Sequence, residues 1–488
     1  MEDSALHGFF DAVVLPAGRV ALLGAGREGE SSYRLLRRLY PQLPITVCDR
    51  NEGVRTSALW QGDPAVDFAT GHRYIEAASA FPLIVKSPGV CLKDWPGLLQ
   101  SPALTSQADL FLRFFGRQCV GVTGTKGKST VSHLIYHLLQ AEFPCLLAGN
   151  MGIPFFDILP QLTPAHRVVC ELSSHQLEQV RTAPAVGVLL NLYEEHLDHY
   201  VDFEAYQRAK LHIAGGGCLI VNGDDPLIDA RLTERAAFAS VPETGTDGAL
   251  RLAVFGTAAK AATAYGGRPG FEVIDRLLWT PQGLEKADGT PVFDFAAPHP
   301  LIGEHNERNL AAALLAAVQA GGHCERMLPR VATFQPLPHR LQYVGCYGGA
   351  HYFNDSISTI PQACIAAVES VNRLPFVQGV SCLIIGGFDR EIDYAPLVDY
   401  LCANPIKSVI FVGAAGRRVQ AALAACNRLP AEALCTDDYE TLVPWAVAHT
   451  VPGTACVLSP AAASYDRFKN FEQRGETFMR LIKKQFEI

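Results

Sequence analysis

The sequence predicts an α/β protein in which three units each contain a parallel sheet covered by helices. The chain has 488 residues, which is enough for about three domains at roughly 150 residues each. Short apolar runs alternate with helical periodicity along the chain, a pattern typical of βαβ units. Two of the strand–helix junctions are rich in glycine. Because 49% of the residues are hydrophobic and 18% are charged, wholesale disorder is excluded.

The first unit begins with a predicted buried strand, Arg19–Gly24, followed by a helix over Glu28–Leu39. A second strand, Ile45–Asp49, ends in an acid. Pro82–Val85 is a further short apolar run, and Ser87-Pro88-Gly89 closes it. This succession of strands and helices predicts a parallel sheet.

The second unit opens on the strand Gln118–Val122, which leads through a Gly- and Lys-rich turn into a helix over Ser129–Gln140. Further apolar runs predict the strands Val168–Leu172, Gly187–Asn191 and Cys218–Asn222. Residues 241–300 are richer in Gly and Thr, so we predict an irregular or antiparallel stretch there. A strong helical pattern follows over Asn309–Ala320.

The third unit begins near Pro336-Leu337-Pro338, where the prolines predict a hinge. Its predicted strands are Ser381–Gly386, Ser408–Val412 and Ala455–Ser459. The predicted domains are therefore residues 1–114, 115–336 and 337–488.

Charge and cysteine content exclude several classes of protein. The net charge of −8 argues against nucleic acid or an anionic membrane as the main partner. The fourteen cysteines include no Cys-x-x-Cys pair, so zinc-site spacing is absent and a disulfide framework is not expected in so long a chain. The sequence also shows no secretory signal and no window of about 18 uninterrupted apolar residues. We expect a reduced, soluble, cytoplasmic protein without a membrane span.

The sharpest motif is Gly121–Thr130, GVTGTKGKST, between a predicted strand and a predicted helix. Its glycines allow the backbone to turn tightly around a phosphate, and the helix N-terminus offers free N–H groups. Lys128 is placed to reach the β- and γ-phosphates of a nucleotide, and Ser129 or Thr130 can ligate Mg²⁺. The motif departs from a strict Walker A pattern, because Val122 stands where the first glycine belongs. A glycine-rich connection that binds nothing is the alternative.

A second glycine loop lies nearer the N-terminus. Gly24–Gly29 has the pattern G-x-G-x-x-G, and Asp49 ends the next strand twenty residues beyond it. Because this pattern matches a dinucleotide fingerprint, an NAD-dependent oxidoreductase is one hypothesis. A turn that only packs a helix against a strand is another. With a separate phosphate loop downstream, we predict ATP in the middle unit and a diphosphate-bearing ligand in the first.

Acids and histidines follow two strands of the second unit. Glu171 ends an apolar strand, where a carboxylate can hold Mg²⁺ directly or through water. His196 and Asp198 follow another strand, and we interpret the adjacent His199 as structural. Lys210 has no distinctive pattern of its own, so the residues alone indicate a helix-surface lysine.

Together these motifs resemble those of the Mur ligases, the ATP-dependent amide-forming enzymes of peptidoglycan synthesis, and among them the glutamate-adding MurD type. The resemblance covers essentially the whole chain. It is carried by Gly124–Thr130, Glu171–Glu178, Glu195–Tyr200, Ala209–Leu211, Gly303–Asn309, Leu337–Arg340, Asn354–Ser356 and Ser459–Gly475.

The resemblance implies a Rossmann-like N-terminal domain that holds the UDP of UDP-N-acetylmuramoyl-L-alanine rather than NAD, a central P-loop ATP-binding domain, and a Rossmann-like C-terminal domain that binds glutamate and ATP. The implied residues for the UDP-substrate are Gly24, Gly26, Arg27, Asp49, Arg50, Ser87, Gly89 and Asn150. Those for ATP are Gly124, Thr125, Lys126, Gly127, Lys128, Ser129, Thr130, Asn306, Arg340 and Asp355. Those for the incoming glutamate are Thr359, Arg390, Ser464 and Phe471.

The resemblance also implies two Mg²⁺ ions. The implied catalytic residues are Lys128, Glu171, His196 and Lys210, and Ser129 and Glu171 would serve the first ion. Lys210 would be carbamylated, and the resulting anion could hold the second ion beside His196. The implied reaction forms an acyl phosphate from the substrate carboxylate, which the glutamate amine then attacks.

Several positions depart from the family's common pattern. The family commonly has Asn-Asp-Ser-Lys-Ala-Thr at Asn354–Thr359, so Ile357 replaces a lysine here. Arg390 stands where a Lys or Arg usually meets the glutamate side chain, and it could bind that carboxylate bidentately. With the unusual loop Gly26–Gly29, these differences favour the divergent branch that attaches L-glutamate and works with a separate epimerase; D-glutamate is the alternative. We expect a monomer. A third hypothesis, besides ligase and oxidoreductase, is a non-catalytic nucleotide-binding or scaffold protein.

Overall fold

The computed structural model describes residues 1–234, 249–297 and 299–486. The chain divides into two compact units: Met1–His299 with Arg308–Phe334, and Pro300–Glu307 with Gln335–Ile488. Two sheets belong to the first unit and one to the second. Both units combine helices with largely parallel sheets, which confirms the predicted α/β class.

The first sheet has five parallel strands in the order β3-β2-β1-β4-β5. The strands are β1 Val20–Leu23, β2 Ile45–Asp49, β3 Val66–Thr70, β4 Ile84–Lys86 and β5 Leu104–Ser106. The helices are α1 Asp3–Ala17, α2 Arg27–Leu39, α3 Tyr74–Ala78, α4 Pro96–Leu99 and α5 Gln107–Phe115. The strand order reverses between β1 and β4, which opens a crevice at the carboxyl ends of these two strands.

The second sheet has nine strands in the order β14-β13-β12-β11-β10-β9-β6-β8-β7. The strands are β6 Cys119–Thr123, β7 Cys145–Gly149, β8 Arg167–Glu171, β9 Val186–Leu189, β10 Cys218–Asn222, β11 Leu250–Thr257, β12 Phe271–Trp279, β13 Gly283–Glu285 and β14 Pro291–Asp294. The associated helices are α6 Lys128–Leu139, α7 Ser174–Leu177, α8 Phe203–Leu211, α9 Pro226–Thr233, α10 Ala258–Ala261, α11 Glu304–Gln319 and α12 Cys324–Val331.

The prediction of an irregular or antiparallel stretch over residues 241–300 is wrong for its longest strands. Strand β11 pairs in parallel with β10 and with β12, and only β13 and β14 add antiparallel pairs. Most of β12 is only half-buried, so it lacks the continuous apolar run that marks a buried parallel strand. Residues 241–248 and 298 of that prediction lie outside the described residues.

The third sheet has six strands in the order β15-β16-β20-β17-β18-β19, all parallel except the β15–β16 hairpin. The strands are β15 Gln342–Tyr347, β16 Ala350–Asn354, β17 Val380–Gly386, β18 Ser408–Val412, β19 Glu432–Cys435 and β20 Ala455–Leu458. The helices are α13 Pro361–Asn372, α14 Ala395–Ala403, α15 Gly413–Ala425, α16 Tyr439–His449 and α17 Phe471–Gln485.

One continuous hydrophobic cluster packs against both sheets of the first unit, and a further cluster around Leu23, Ile84 and Leu104 lies on the first sheet. Phe111 on α5 packs against Phe155 with ring centroids 5.1 Å apart, and Phe10 on α1 packs against Phe156 at 5.4 Å. These contacts join the part of the chain around the first sheet to the part around the second. The second unit has two separate core clusters, one on each face of its sheet.

Cysteines and helix lengths agree with the sequence expectations. All fourteen cysteines are free thiols, and half of them are buried. In the residues that the structure describes, no helix combines the length and apolar character that a bilayer span requires.

Candidate active site

The phosphate-loop motif connects the end of β6 to the start of α6, as its sequence pattern predicts. Gly124 has φ 155° and Gly127 has φ 88°, so both adopt backbone conformations that favour glycine. A Cβ on Gly124 would lie 2.9 Å from Leu190 Cβ, and one on Gly127 would lie 3.0 Å from Asn309 Oδ1. The close approach of these neighbours leaves no room for larger residues.

Two lysines converge on this loop. Lys128 Nζ donates to the carbonyl oxygens of Gly124 at 2.9 Å and Thr125 at 3.0 Å. Lys210 Nζ donates to the same Gly124 oxygen at 2.9 Å. Lys126 Nζ points elsewhere and pairs with Glu195 at 2.9 Å. Ser129 and Thr130 follow in the first turn of α6, so this end of the helix combines N–H donors with positive charge.

Lys210 is a buried residue of α8, not the helix-surface lysine that its local pattern indicates. Only 2% of it is exposed, and its Nζ lies 4.8 Å from the centre of the Tyr206 ring. Burial, and next the positive charge of Lys128, hold the pKa of Lys210 well below its usual value. The uncharged, nucleophilic form of this amine is therefore easier to reach than that of an exposed lysine.

Glu171 is the last residue of β8 and is 2% exposed. Its Oε1 accepts a hydrogen bond from Asn150 Nδ2 at 2.8 Å. Its Oε2 is buried and has no hydrogen-bond partner among the residues that the structure describes. Because an unpartnered buried carboxylate oxygen is costly, this atom fits a cation ligand.

His196 lies in the segment after β9 and has φ 60°, an uncommon backbone conformation for a residue other than glycine. Its ring centre is 4.7 Å from that of His175 and 6.1 Å from that of Tyr206. Burial lowers the pKa of His196. The negative charge of Glu195 opposes this shift, whereas the positive charge of Lys210 adds to it. The ring is therefore neutral at pH 7, which is the form that binds metals.

The proposed metal ligands do not form a ready-made cage of acids and histidines. Among the described residues, no group of three or more His, Cys, Asp or Glu side chains could hold a metal ion by itself. Magnesium usually takes one or two carboxylates and completes its shell with water and substrate phosphate oxygens. The single orphaned oxygen of Glu171 beside a phosphate loop fits that donor set.

A cavity of about 640 Å³ lies at the carboxyl ends of β1 and β4, where the strand order reverses. It is lined by all eight residues predicted for the UDP-substrate: Gly24, Gly26, Arg27, Asp49, Arg50, Ser87, Gly89 and Asn150. Three further lining residues, Tyr74, Cys91 and Gln176, are not among the residues predicted from the sequence. Gln176 lies in the motif that follows Glu171, whereas no pattern marks the other two.

Asp49 shapes the glycine loop of this cavity. Its Oδ2 accepts from Ala25 N at 2.7 Å and its Oδ1 from Asn51 N at 2.8 Å. Both carboxylate oxygens therefore hold backbone turns. Gly24 has φ 97°, and a Cβ there would lie 2.8 Å from Ser87 Cβ, so the loop packs tightly against the segment after β4.

Asp355 in the second unit lies directly after β16. Its Oδ1 accepts from Leu341 N at 3.0 Å, and its Oδ2 accepts from Ser459 Oγ at 2.7 Å. Burial raises the pKa of Asp355 to about 7, although these hydrogen bonds and Arg340 oppose the shift. Asn306, in the first turn of α11, donates from Nδ2 to Ile302 O at 2.8 Å.

Arg474, a fully buried residue of α17, ties together the loops that carry the predicted glutamate residues. Its Nη2 donates to the carbonyl oxygens of Ser356 at 2.7 Å and Ala462 at 3.0 Å, and its Nη1 donates to Ala463 O at 3.2 Å. Ser356 Oγ in turn donates to Phe471 O at 2.8 Å.

The predicted glutamate residues lie on or next to these connected loops. Ser464 follows Ala463 and is 3% exposed, and Phe471 is the first residue of α17. Thr359 lies in the segment after β16. Arg390 is exposed, two residues beyond Phe388, whose N–H donates to Ala463 O at 2.9 Å.

Comparison with known proteins adds four findings. Residues 122–317 match the Mur ligase middle domain family. The chain is 33% identical over 478 residues to a UDP-N-acetylmuramoyl-L-alanine–L-glutamate ligase of Micromonospora sp.. This alignment covers 95% of this chain and 96% of that protein. It is 30% identical over 478 residues to a UDP-N-acetylmuramoylalanine–D-glutamate ligase of Geotalea uraniireducens, covering 95% and 97%. The fold is similar to that of MurF ligase from Thermotoga maritima in complex with ADP, with a TM-score of 0.54 and 16% sequence identity. The superposition covers 85% of this chain and 92% of the MurF chain.

Proposed function

The chain belongs to the Mur ligase family, and from this premise we propose that it is an ATP-dependent ligase that joins glutamate to UDP-N-acetylmuramoyl-L-alanine in peptidoglycan synthesis. The observation that carries the proposal is the cavity of about 640 Å³ at the carboxyl ends of β1 and β4, lined by all eight predicted UDP-substrate residues. One of them, Asn150, hydrogen-bonds Glu171 beside the phosphate loop.

An NAD-dependent oxidoreductase finds no support in these relatives, which are named as ligases. An oxidoreductase that uses Gly24–Gly29 and Asp49 also leaves the phosphate loop between β6 and α6 unexplained.

We propose that the chain works as three functional parts with residues 1–114 holding the UDP-substrate, 115–336 holding ATP, and 337–488 holding glutamate and part of ATP. Asn306 of the second part and Arg340 and Asp355 of the third part would contact the nucleotide. Thr359, Arg390, Ser464 and Phe471 would contact glutamate. The strand order of the first sheet reverses beside the cavity, and ligands of open α/β sheets bind at such points. This supports the assignment of the UDP-substrate to residues 1–114.

The proposed reaction has two displacements. An oxygen of the substrate carboxylate attacks the γ-phosphorus of ATP, and ADP leaves to give an acyl phosphate. The glutamate amine then attacks the acyl carbon, and phosphate leaves. Lys128 at the start of α6 would offset the repulsion between the attacking carboxylate and the phosphates, in the role that P-loop lysines have.

Two Mg²⁺ ions would neutralise phosphate charge when bound. Ser129 and Glu171 would hold the first, because the Oε2 of Glu171 is buried and lacks a partner. His196 and Lys210 would hold the second after the Lys210 amine adds to CO₂ and loses a proton, which leaves a carbamate anion. The depressed pKa of the buried Lys210 supports this step, because only the uncharged amine attacks CO₂.

We propose L-glutamate as the amino acid, with D-glutamate as the alternative. The Micromonospora relative is named for L-glutamate at 33% identity and the Geotalea relative for D-glutamate at 30% identity. Ile357 in place of a lysine and the exposed Arg390 support a changed glutamate site. An L-glutamate product would require a later epimerase in the cell. We also propose a monomeric, cytoplasmic enzyme.

The test is a reaction of the purified chain with ATP, Mg²⁺, UDP-N-acetylmuramoyl-L-alanine and each glutamate enantiomer. We expect phosphate release that depends on all substrates and a product heavier by one glutamyl residue. Lys128→Ala should abolish turnover, whereas Lys260→Ala, which removes an exposed lysine of α10, should not. Phosphate release that continues at the full rate in Lys128→Ala would contradict the proposal.

A further inference from the structure

A buried ionic network joins the end of β4 to the segment that carries His196. Lys86, the last residue of β4, has a side chain only 1% exposed, and its Nζ lies 3.3 Å from Glu178 Oε2. His199 Nε2 lies 3.5 Å from the same carboxylate oxygen. The side chains of Glu178 and His199 are 12% and 7% exposed. Removing one partner of such a buried pair leaves an uncompensated charge.

The members of this network stand close in sequence to residues of both proposed sites. Lys86 directly precedes Ser87, which lines the UDP-substrate cavity. His199 follows His196, a proposed metal ligand, by three residues. Glu178 directly follows the short helix α7, which comes after strand β8 and its terminal acid.

The segment that carries His196 is held at further points by the chain after β4. Lys93 Nζ donates to Asp198 O at 2.8 Å, and Cys91 Sγ donates to His199 O at 3.3 Å. His196 itself has φ 60°. A residue other than glycine keeps such a conformation only where surrounding contacts hold it.

A second polar contact fixes α7 from the side of the glycine loop. Gln176 Nε2 donates to Glu28 Oε1 at 2.6 Å, and Gln176 Oε1 accepts from Ser173 N at 3.0 Å. Both Glu28 and Gln176 line the UDP-substrate cavity. The cavity wall is therefore connected to the His196 segment in two ways: through α7, and through the direct contacts of Cys91 and Lys93 with that segment.

We propose that Lys86, Glu178 and His199 are positioning residues that fix the His196 segment against the UDP-substrate cavity, so that the bound substrate carboxylate and the phosphate loop are held in register for phosphoryl transfer. This inference rests on the proposed ligase function. None of the three touches the reacting atoms. Misplacement of reacting groups by as little as about 1 Å can cost on the order of 100-fold in rate.

The test compares single variants with a double variant that leaves no unpaired charge. Lys86→Met keeps the side-chain length without its charge, and Glu178→Gln keeps the shape of the carboxylate. Each single variant should lower Tm. The double variant Lys86→Met/Glu178→Gln should regain at least half of the lost Tm, because neither charge remains unpaired.

The rate separates a positioning role from a structural one. We expect kcat of the double variant to stay lower by about tenfold or more, with KM for ATP within about threefold of the wild type. If kcat returns together with Tm, the network only stabilises the fold and the proposal is overturned. The matched control is Arg37→Met/Asp63→Asn, which removes a largely buried 2.6 Å pair on α2 and the loop before β3. The control should change Tm but leave kcat within about twofold.

Lys93→Met provides an independent test, because Lys93 is exposed and its loss does not threaten folding. It should lower kcat by about threefold with unchanged Tm. An unchanged kcat would contradict the proposal that Lys93 helps to fix the His196 segment.

The wild-type assay distinguishes failure of the proposed ligase function from failure of the proposed positioning network. A wild-type chain without glutamate-dependent phosphate release refutes the ligase function, whereas an active wild type with a fully active double variant refutes only the positioning network.

Discussion

Asn150 binds Glu171 twice: its backbone N–H donates to Glu171 O at 2.9 Å, and its Nδ2 donates to Glu171 Oε1 at 2.8 Å. Asn150 lines the proposed UDP-substrate cavity, whereas Glu171 pairs with Val122 on β6, two residues before Gly124 of the phosphate loop. The side chain of Asn150 therefore aims the free oxygen of Glu171 from the substrate side.

Asn150→Ala should lower kcat/KM for UDP-N-acetylmuramoyl-L-alanine by about 10- to 150-fold. The reason is that a hydrogen bond to a charged group contributes roughly 1.5–3 kcal/mol. Steady-state phosphate release measures the effect. Gln140→Ala, an exposed amide just beyond α6, is the control and should be unaffected. An equal loss in both variants would mean that the contact with Glu171 is not the cause.

Gly26→Ala and Gly29→Ala should separate ligand binding from folding. A Cβ on Gly26 meets nothing within 4 Å, and Gly26 lines the cavity, so the methyl group would occupy ligand space. A Cβ on Gly29 would collide with the carbonyl oxygen of Gly24. We expect Gly26→Ala to keep the wild-type Tm and raise KM for the UDP-substrate by about tenfold or more. Gly29→Ala should instead lower Tm. Thermal unfolding measures Tm and substrate titration measures KM for both variants. A wild-type KM in Gly26→Ala would contradict the placement of the UDP-substrate in this cavity.

Lys210→Ala should lose activity that short carboxylates partly restore, because they supply the anion that a carbamate would provide. The expected loss is about 100-fold or more, since a metal-binding group disappears. The measurement is phosphate release with and without added formate or acetate. Lys260→Ala should show neither loss nor rescue. Full activity of Lys210→Ala without any added carboxylate would remove Lys210 from the metal site.

The stability of the second unit should depend on pH through Asp355. Its pKa in the folded protein is raised to about 7 from an ordinary 3.8, so the protonated form favours folding. This contribution is complete below about pH 4 and disappears as the pH rises through 7. Asp355→Asn is neutral throughout, so its stability relative to wild type should increase between pH 5 and pH 8. The increase should be at most on the order of 3 kcal/mol.

Denaturant unfolding of the full chain at several pH values measures this difference. Asp399→Asn replaces an exposed acid of α14 and should show no such trend. A constant difference between Asp355→Asn and wild type from pH 5 to pH 8 would show that Asp355 is already charged at pH 5.

Local sequence patterns predicted the parts of the fold that are buried on both sides. Strands β2, β10 and β18 have their predicted bounds, because each is a continuous apolar run. Strand β3 was missed because it is only partly buried and carries polar residues. The β15–β16 hairpin was missed although Gly348 and Gly349, both with positive φ, mark its turn.

The candidate sites were predictable to the extent that their residues stand in compact motifs. The phosphate loop is one such motif, and the eight predicted cavity residues lie at the carboxyl ends of four strands, β1, β2, β4 and β7. Local pattern failed for Lys210, whose burial depends on packing of α8 against the loop after β6. It also gave no sign of the contact between Lys86 and Glu178, since these residues are far apart in the chain.

The shared core of the first unit limits how the protein can be divided. Phe10 and Phe111 lie before residue 115, whereas Phe155 and Phe156 lie after it, and all four belong to one cluster. Cutting the chain at this position would expose aromatic surface on both fragments, so neither is expected to fold alone. Residues 1–114 and 115–336 are therefore expected to unfold cooperatively, as a single thermodynamic unit, even though they contain separate sheets.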